Sequence, residues 1–190
     1  MNSLTKPIRL YTRSEVMGDD CPVQGEPGVY AWYFNDKLPM VPTGGCIAYG
    51  GKYLLYLGIS PGKQSKGGRR SSQNIRKRIK YHYSGNAYGS TLRKTLGCLL
   101  SEELRIEYIT RGRNRGLAFT PESEERLSGW MGENAFVSWE THEEPWLIEE
   151  RALSKLSLPL NLKKNTDHPF YPKLRKIRRK ATEKARQNKI

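Results

Sequence analysis

Two short runs of aromatic and aliphatic residues constrain the fold of this chain more than any other feature. GVYAWYF (Gly28–Phe34) and YLLYLGI (Tyr53–Ile59) lie between stretches rich in glycine and proline. Runs of this length and composition are typical of β-strands. The stretch between them, residues 35–52, contains two prolines and four glycines and is predicted to be a loop.

The rest of the chain alternates helical and extended patterns. A helix is predicted after Ser72, with Ile75 and Ile79 on one face. Further helices are predicted over residues 90–100, 121–131 and 144–157, and further strands over residues 104–110 and 135–140. Beyond Pro172 the pattern predicts a cationic helix.

Positive charge is unevenly distributed along the chain, which carries a formal net charge of +14. Residues 61–94 contain ten Lys or Arg and no acid, and residues 163–190 contain eleven bases and two acids. Residues 101–150 instead contain twelve acids and five bases. Solvated surfaces usually mix the two signs, so two electropositive surfaces and a polyanionic partner are expected, with nucleic acid the leading candidate. An unevenly charged basic protein without such a partner is the alternative.

The composition argues against several other classes of protein. No run of about 18 apolar residues is present, and the N-terminus lacks the apolar core of a signal peptide. A cytoplasmic, nucleoid-associated protein without a membrane partner is therefore expected. Cys21, Cys46 and Cys98 are far apart and form no CxxC pair, which favours neither a disulfide framework nor a zinc site.

One basic segment, NIRKRIKYH (residues 74–82), contains a pair with chemical potential. Arg78 and His82 are four residues apart, so in a helix they lie on the same face and can both point at one phosphate. Such a pair also arises by chance. Further along the chain, Glu149 falls within an apolar stripe of Trp146, Leu153 and Leu156 on a predicted helix. A carboxylate there is costly unless it binds a metal ion or pairs with a basic residue, and the pattern leaves both readings open.

Each of the two predicted strands also contains a tyrosine close to a glycine. Tyr30 ends GVY and Tyr56 begins YLG, and Gly28 and Gly58 permit a close approach of backbone or ligand. Ordinary packing in a sheet is the alternative role of these tyrosines.

Taken in order, GVY, YLGIS, IRKRIKYH and LIEERALSKLSLPLN resemble the motifs of the GIY-YIG nuclease family. The four-residue interval from Arg78 to His82 and the twelve-residue interval from Glu149 to Asn161 also match, the second as in excision-repair and restriction-type members. Departures include Val29 and an extended interval between the two tyrosines. The segment 84–139 is similar to that of a group of bacterial members of about this length.

The resemblance implies a role for six residues. Tyr30 would act as general base or orient the attacking water, and Tyr56 would hold the water or the phosphate. Arg78 would neutralise the scissile phosphate, which suits a guanidinium that forks to two oxygens. His82 would support a tyrosine hydroxyl.

The remaining two residues lie in the last motif. Glu149 would be the sole protein ligand of one Mg²⁺, with Mn²⁺ as a substitute, and Asn161 would brace the site. A hard carboxylate with several waters suits Mg²⁺. The family's fold implies an α+β domain with a small three-stranded antiparallel central sheet flanked by helices. We expect an N-terminal arm over 1–27, a nuclease domain over 28–162 with an insertion at about 84–139, and a basic extension over 163–190.

These features predict a metal-dependent DNA endonuclease, with restriction or defence as the expected role and repair or recombination of branched DNA as the alternative. A catalytically silent nucleic-acid-binding module is the competing reading, and a homodimer is one way to cut both strands. The residues expected to contact DNA are Lys63, Lys66, Arg69, Arg70, Arg76, Lys77, Lys80, Arg93, Lys173, Arg175, Arg178 and Arg179.

Overall fold

The structure, a computed structural model, describes residues 2–36, 38–63 and 72–188. Within these ranges the helices are α1 (Asn2–Thr5), α2 (Arg13–Met17), α3 (Ile75–Ser84), α4 (Thr91–Leu99), α5 (Pro121–Asn134), α6 (Pro145–Leu153) and α7 (Tyr171–Gln187). The strands are β1 (Gly28–Phe34), β2 (Ala48–Tyr49), β3 (Lys52–Ser60), β4 (Tyr108–Arg111), β5 (Gly116–Phe119) and β6 (Ala135–Thr141). No helix in the described ranges is long and apolar enough to span a bilayer.

A central antiparallel sheet has the strand order β2-β3-β1-β6. Strand β1 is fully buried and pairs along its whole length with β3 on one side and β6 on the other. Strand β2 adds only two residues at the edge of β3. The α+β fold class is therefore confirmed, and the predicted three-stranded sheet is extended by one very short strand.

The third long strand of this sheet is not the one predicted at residues 104–110. Only Tyr108–Arg111 is extended there, and it pairs with β5 in a separate two-stranded sheet. The chain first turns back on itself, with Arg105 at a positive φ of 47° and Ile106 N–H donating to the Ser101 carbonyl. Strand β6, predicted from AFVSWE, is instead the third long strand and pairs with β1 at the edge of the central sheet, so residues 135–139 of the expected insertion belong to this sheet.

The alternation of β1 supplies two cores. Tyr30, Trp32 and Phe34 face one hydrophobic cluster, and the residues between them face the other. In β3 the pairing shifts so that Trp32 opposes Tyr56 and Tyr33 opposes Leu54. This irregularity is a β-bulge, and it places one extra residue between two ladder positions.

Helix α3 covers the face of the sheet that carries Tyr30. Asn74 caps its first turn by accepting from the Lys77 N–H, and Ile75 and Ile79 are completely buried, as predicted. Apolar positions four residues apart lie on one face of a helix. Burial of that face fixes the direction in which the next residue of the same series, Tyr83, and its neighbour His82 enter the core.

Helix α6 packs on the other face, where Ala152 is buried and Ile148 lies against the second cluster. Helix α7, predicted as a cationic helix, is docked on the domain rather than projecting from it. It contacts α4, β4 and β5, and its apolar residues Leu174, Ala181 and Ala185 are buried. Its charged residues are exposed on the outer side of the packed helix, except for Arg178, which is half-buried.

Candidate active site

The two tyrosines of the strand motifs share one face of the sheet. Tyr30 pairs with Gly58 across the β1–β3 ladder, and Tyr56 pairs with Trp32 two residues away. A Cβ atom at Gly58 would lie 2.5 Å from the Tyr30 hydroxyl oxygen, because the Tyr30 ring lies across this glycine. Glycine is thus required at position 58 for the tyrosine of the opposite strand.

Gly28 has a comparable role on the opposite side of β1. A Cβ atom there would collide with the backbone carbonyl of Glu140, which belongs to β6. Both motif glycines therefore allow close approach, as the sequence predicted. The neighbouring group is another strand at Gly28 and the Tyr30 ring at Gly58.

His82 lies at the bottom of the site and is completely buried. Its Nε2 atom is 3.0 Å from the Tyr30 hydroxyl oxygen, and its Nδ1 atom is 2.8 Å from Ser90 Oγ. Burial lowers the pKa of His82 well below its usual value, and the charges of Arg78 and Arg93 lower it further. The imidazole is therefore neutral near pH 7.

Arg78 lies one helical turn before His82, at the rim of the site. It is half-buried, its Nη1 donates to the Gly89 carbonyl at 3.0 Å, and its guanidinium is 5.9 Å from the centre of the Tyr81 ring. None of the ion pairs found among the described residues involves Arg78. Most of its donors therefore remain available for an anion.

The environment of the two tyrosines opposes ionisation. Burial raises the pKa of Tyr30, whereas the nearby guanidinium of Arg78 lowers it. Burial also raises the pKa of Tyr56, with Arg78 again opposing the effect. The negative charge of Glu149 also raises both pKa values. In the absence of bound cations both tyrosines are protonated at neutral pH.

Glu149 is on α6, and one fifth of its side-chain surface is exposed. Its only ion pair within the described ranges is a long contact of 3.5 Å with Lys164, whose side chain is half exposed. Of the predicted apolar stripe, Leu153 and Leu156 pack against the second cluster, together with Ile148 and the buried Ala152.

Asn161 is 6% exposed and holds the backbone of β3 between Tyr56 and Gly58. Its Oδ1 accepts from the Leu57 N–H at 2.9 Å, and its Nδ2 donates to the Leu57 carbonyl at 2.7 Å. The adjacent Leu160 N–H donates to the Leu55 carbonyl. The segment after α6 thus replaces a neighbouring strand at this edge, and Asn161 acts on the position of the tyrosine through the backbone.

A cleft of about 740 Å³ opens beside Arg78. Its cationic lining residues are Lys63, Lys77 and Arg78, and no carboxylate is among the described residues that line it. Such a cleft suits an anionic chain, because the donors converge and no acid competes for them.

The other residues expected to contact DNA differ in their surroundings. Arg76 is exposed, although its Nε donates to the Val23 carbonyl, and Lys80 is half-buried. On α7 the exposed residues are Lys173, Arg175 and Arg179, while Arg178 is half-buried and donates to Thr95 Oγ1 at 3.4 Å. Lys66, Arg69 and Arg70 lie outside the described residues.

The prediction that Arg93 contacts DNA is wrong, because its side chain is completely buried. It forms an ion pair of 2.6 Å with Glu124 and donates to the carbonyls of His82 and Tyr83 at 3.1 Å each. Arg93 therefore ties α3, α4 and α5 together behind the site. Arg93 lies among basic residues in the sequence, and its acidic partner Glu124 lies 31 residues further along the chain, so this ion pair was not predicted.

Two features at or near the site were not predicted from the sequence. Ser90, the N-cap of α4, bonds to the buried His82. Arg111, Arg113 and Arg115 lie at or beside the turn of the β4–β5 hairpin and are all exposed. This cluster was not predicted, because acids outnumber bases over residues 101–150 as a whole. The run RGRNRG is nevertheless typical of a basic turn.

Contacts of Tyr88 link this hairpin to the site. A Cβ atom at Gly116 would lie 2.9 Å from the Tyr88 ring, and one at Gly112 would collide with the Tyr88 hydroxyl. The next residue, Gly89, accepts the hydrogen bond from Arg78. Residues 88 and 89 therefore join the arginine-rich turn to the rim of the site.

The donor set near the tyrosines fits a hard divalent cation held by one protein oxygen and several waters. No cluster of three or more His, Cys, Asp or Glu with the geometry of a metal site occurs in the described part of the chain. Glu149 supplies a partly exposed carboxylate with only a weak partner, which leaves it free to ligate. Mg²⁺ usually keeps most of its waters and takes one or two carboxylates.

The sheet carries two tyrosines, is backed by a neutral histidine, and is faced by a carboxylate and by an arginine that has no acidic partner among the described residues. Such an arrangement is suited to act on phosphodiesters. Sequence comparison matches residues 28–180 to the GIY-YIG catalytic domain, and the chain belongs to that family of nuclease-type domains. The match extends past residue 162 into α7. Neither the curated proteins nor the solved structures contain a significant match to this chain.

Proposed function

We propose that the protein is a divalent-metal-dependent DNA endonuclease that uses Mg²⁺, with Mn²⁺ as a substitute. The observation that carries the proposal is the convergence of Tyr30, held by His82, with an arginine that has no acidic partner among the described residues. Hydrolysis of a phosphodiester needs a positioned water and neutralisation of the charge that develops on the nonbridging oxygens. These groups supply both.

Tyr30 is proposed to bind and orient the attacking water. Its hydroxyl is fixed by His82 and lies close to Arg78, so a water bonded to it would be held in one orientation. A cation bound near Tyr30 would oppose the burial that now keeps its hydroxyl protonated and would lower its pKa, as the guanidinium of Arg78 already does. The chemistry therefore requires Tyr30 at least as an orienting group, and as a general base once its pKa is lowered.

Arg78 is proposed to neutralise the scissile phosphate. Its guanidinium stays charged and presents a planar fork that matches two phosphate oxygens. A metal ion bound by Glu149 would supply a Lewis acid near the leaving 3′ oxygen. Tyr56 would hold the water or the phosphate from the neighbouring strand, and Asn161 would keep its backbone in place.

The proposed substrate surface surrounds these groups. Lys63 and Lys77 line the cleft, and Arg76 and Lys80 extend the charge along α3. A second part comprises Lys173, Arg175, Arg178 and Arg179 on α7, together with Arg111, Arg113 and Arg115 of the hairpin. Arg115 donates to the Arg186 carbonyl, so the hairpin turn and the end of α7 are contiguous.

We propose restriction or defence as the role, with repair or recombination as the alternative, by analogy within the family. The proposed domain division remains an arm over 1–27, a catalytic domain from residue 28 and a basic C-terminal segment from 163. One site cuts one strand, so a double-strand break requires a homodimer or two successive events.

A catalytically silent DNA-binding module is the second candidate. The contact of Lys164 with Glu149 favours it, because a carboxylate held by a lysine is less available to a metal. The two candidates separate on one measurement, since the module would bind DNA in a salt-dependent way and leave every strand intact.

The test is cleavage of supercoiled plasmid by the purified protein with Mg²⁺, with Mn²⁺ and with EDTA. We expect nicking or linearisation with either metal and none with EDTA. Glu149→Ala should abolish cleavage, whereas Glu150→Ala, which removes the neighbouring exposed carboxylate of the same helix, should retain it. Cleavage that survives Glu149→Ala at the wild-type rate would contradict the assignment of this residue.

A further inference from the structure

The hydrogen bonds around His82 admit two arrangements. A neutral imidazole carries one proton, so one ring nitrogen donates and the other accepts. The Nε2 atom faces the Tyr30 hydroxyl and the Nδ1 atom faces Ser90 Oγ, at 3.0 and 2.8 Å. Either His82 donates to Tyr30 and accepts from Ser90, or it accepts from Tyr30 and donates to Ser90.

Ser90 distinguishes between these arrangements because it is completely buried. Its Oγ already accepts the Arg93 N–H at 3.1 Å as the N-cap of α4. Its own hydroxyl proton must therefore find an acceptor. Among the described residues, the His82 ring is the only further group bonded to this oxygen. If Nδ1 carried the proton, the Ser90 proton would be left without a partner, which costs about 1–3 kcal/mol for a buried group.

We infer that Ser90 is a positioning residue that holds His82 in the Nε2–H tautomer, so that His82 donates to the Tyr30 hydroxyl oxygen. The Tyr30 oxygen then accepts a hydrogen bond from behind, and its own O–H is directed toward a water or a phosphate oxygen. In this arrangement His82 is not the acceptor of the tyrosine proton.

The backbone around His82 is fixed by the same helix end. Arg93, three residues after Ser90, donates to the carbonyls of His82 and Tyr83. The first turn of α4 thus holds the ring through Ser90 and the backbone through Arg93.

The tautomer can be measured directly on the wild-type protein. The chain has three histidines, and long-range ¹H–¹⁵N correlation spectra distinguish a protonated ring nitrogen from a bare one. The His82 signals are assigned by their loss in His82→Gln. We expect a single neutral form with the proton on Nε2 at pH 7.5. A proton on Nδ1, or a mixture of both forms, would overturn the inference.

Variants of Ser90 test its role. Ser90→Thr retains the donor and the cap, so the tautomer and the single-turnover cleavage rate should stay close to wild type, within about threefold. Ser90→Asp still caps the helix but only accepts, so it should move the proton to Nδ1. We expect it to lower the cleavage rate about 10²-fold or more, because a wrong tautomer misdirects the bonded group.

Helix capping itself needs a separate control. Thr120→Ala removes the corresponding cap of α5 and should leave both the His82 spectrum and the rate unchanged. Wild-type rate and spectrum in Ser90→Asp would contradict the positioning role. If Ser90→Asp does not fold, the wild-type spectrum still decides the tautomer. The catalytic meaning rests on the proposed function, but the spectrum does not, so an inactive protein with the Nε2–H form would refute only that function.

Discussion

Two arginines on neighbouring helices are held in opposite ways. Arg93 on α4 is completely buried, and its guanidinium bonds to Glu124 and to the carbonyls of His82 and Tyr83. Arg78 on α3 is half-buried and has one carbonyl partner, with no carboxylate paired to it in the described ranges. Both come from the same basic stretch of sequence. Only their surroundings distinguish a structural cation from one available to a ligand.

The same difference extends to the regions around them. Behind His82, the polar groups of Ser90, Arg93 and Glu124 bond to the His82 ring, to one another or to the backbone. These bonds indicate that the three residues have a structural role. At the rim, Lys63, Lys77 and Arg78 line an open cleft, and no acid is among its described lining residues. Cations that converge on a concave surface without a carboxylate beside them indicate a place for an anion.

The largest effect is expected from Arg78→Ala, which removes a cation that forms none of the ion pairs found among the described residues. Loss of a group that neutralises transition-state charge typically costs 10²–10³-fold or more in rate, and we expect about 10³-fold in single-turnover cleavage of plasmid. The melting temperature should change little, because the side chain is half-buried and none of the ion pairs among the described residues involves it. A large loss of stability would contradict the comparison between the two arginines.

Arg93→Ala should show the opposite behaviour. It leaves Glu124 and two backbone carbonyls without their partner, and removing one member of a buried ion pair costs about 3–5 kcal/mol. Urea denaturation followed by tryptophan fluorescence measures this loss. The exposed Arg179, whose ion pair with Glu183 is solvated, is the matched control and should cost less than about 1 kcal/mol. Equal losses of unfolding free energy in the Arg93 and Arg179 variants would contradict the structural role of Arg93.

Asn161→Leu tests the bracing of β3 and should have an intermediate effect. The Leu57 N–H and carbonyl would both lose a partner, at about 1–3 kcal/mol for each unsatisfied group. Cleavage should fall as well, because Tyr56 and Gly58 flank Leu57. Asn165→Leu is a useful comparison, since this buried amide instead donates to the carbonyls of Leu158 and Asn161. A stable, fully active Asn161→Leu protein would refute the bracing role.

A change in pH is expected to have a smaller effect on the free energy of unfolding. Folded His82 stays neutral because its pKa lies well below the usual value, whereas the unfolded chain binds a proton at about pH 6.5. The unfolded state therefore takes up more protons below that pH, and the free energy of unfolding should fall as pH drops from 6.5 to 5. The limit is about 1.4 kcal/mol per pH unit.

Comparison with His82→Gln isolates this contribution, because burial also lowers the pKa of His168. The variant should show a shallower slope than the wild type over the same interval. Parallel slopes would indicate that His82 is protonated in the folded protein.

The smallest effect is expected at the hairpin, where each arginine is a single surface charge. Arg113→Ala should reduce the slope of log binding constant against log salt by about one for a short duplex. Lys52→Ala removes one charge from a residue that packs over Phe136 on the other side of the sheet, and should leave the slope unchanged. Equal salt slopes in the two variants would contradict the proposal that the hairpin contacts DNA.

Short-range regularities in the sequence predicted much of the fold and the core of the site. Alternation and composition located β1 and β3, and the four-residue spacing located Arg78 and His82 on one helix. Long-range partners could not be read in this way. A strand pattern at residues 104–110 does not reveal which strand it pairs with, and nothing local to Arg93 indicates Glu124. The bond between His82 and Ser90 depends on how the chain turns between α3 and α4.

The central claim is that the Arg78 guanidinium meets the scissile phosphate, and chemical rescue tests it most directly. The single-turnover cleavage rate of Arg78→Ala is measured at saturating DNA with and without free guanidinium at a concentration that does not unfold the protein. We expect a low rate that guanidinium partly restores, whereas sodium at the same ionic strength does not restore it. A wild-type rate in the variant without any rescue agent would contradict it.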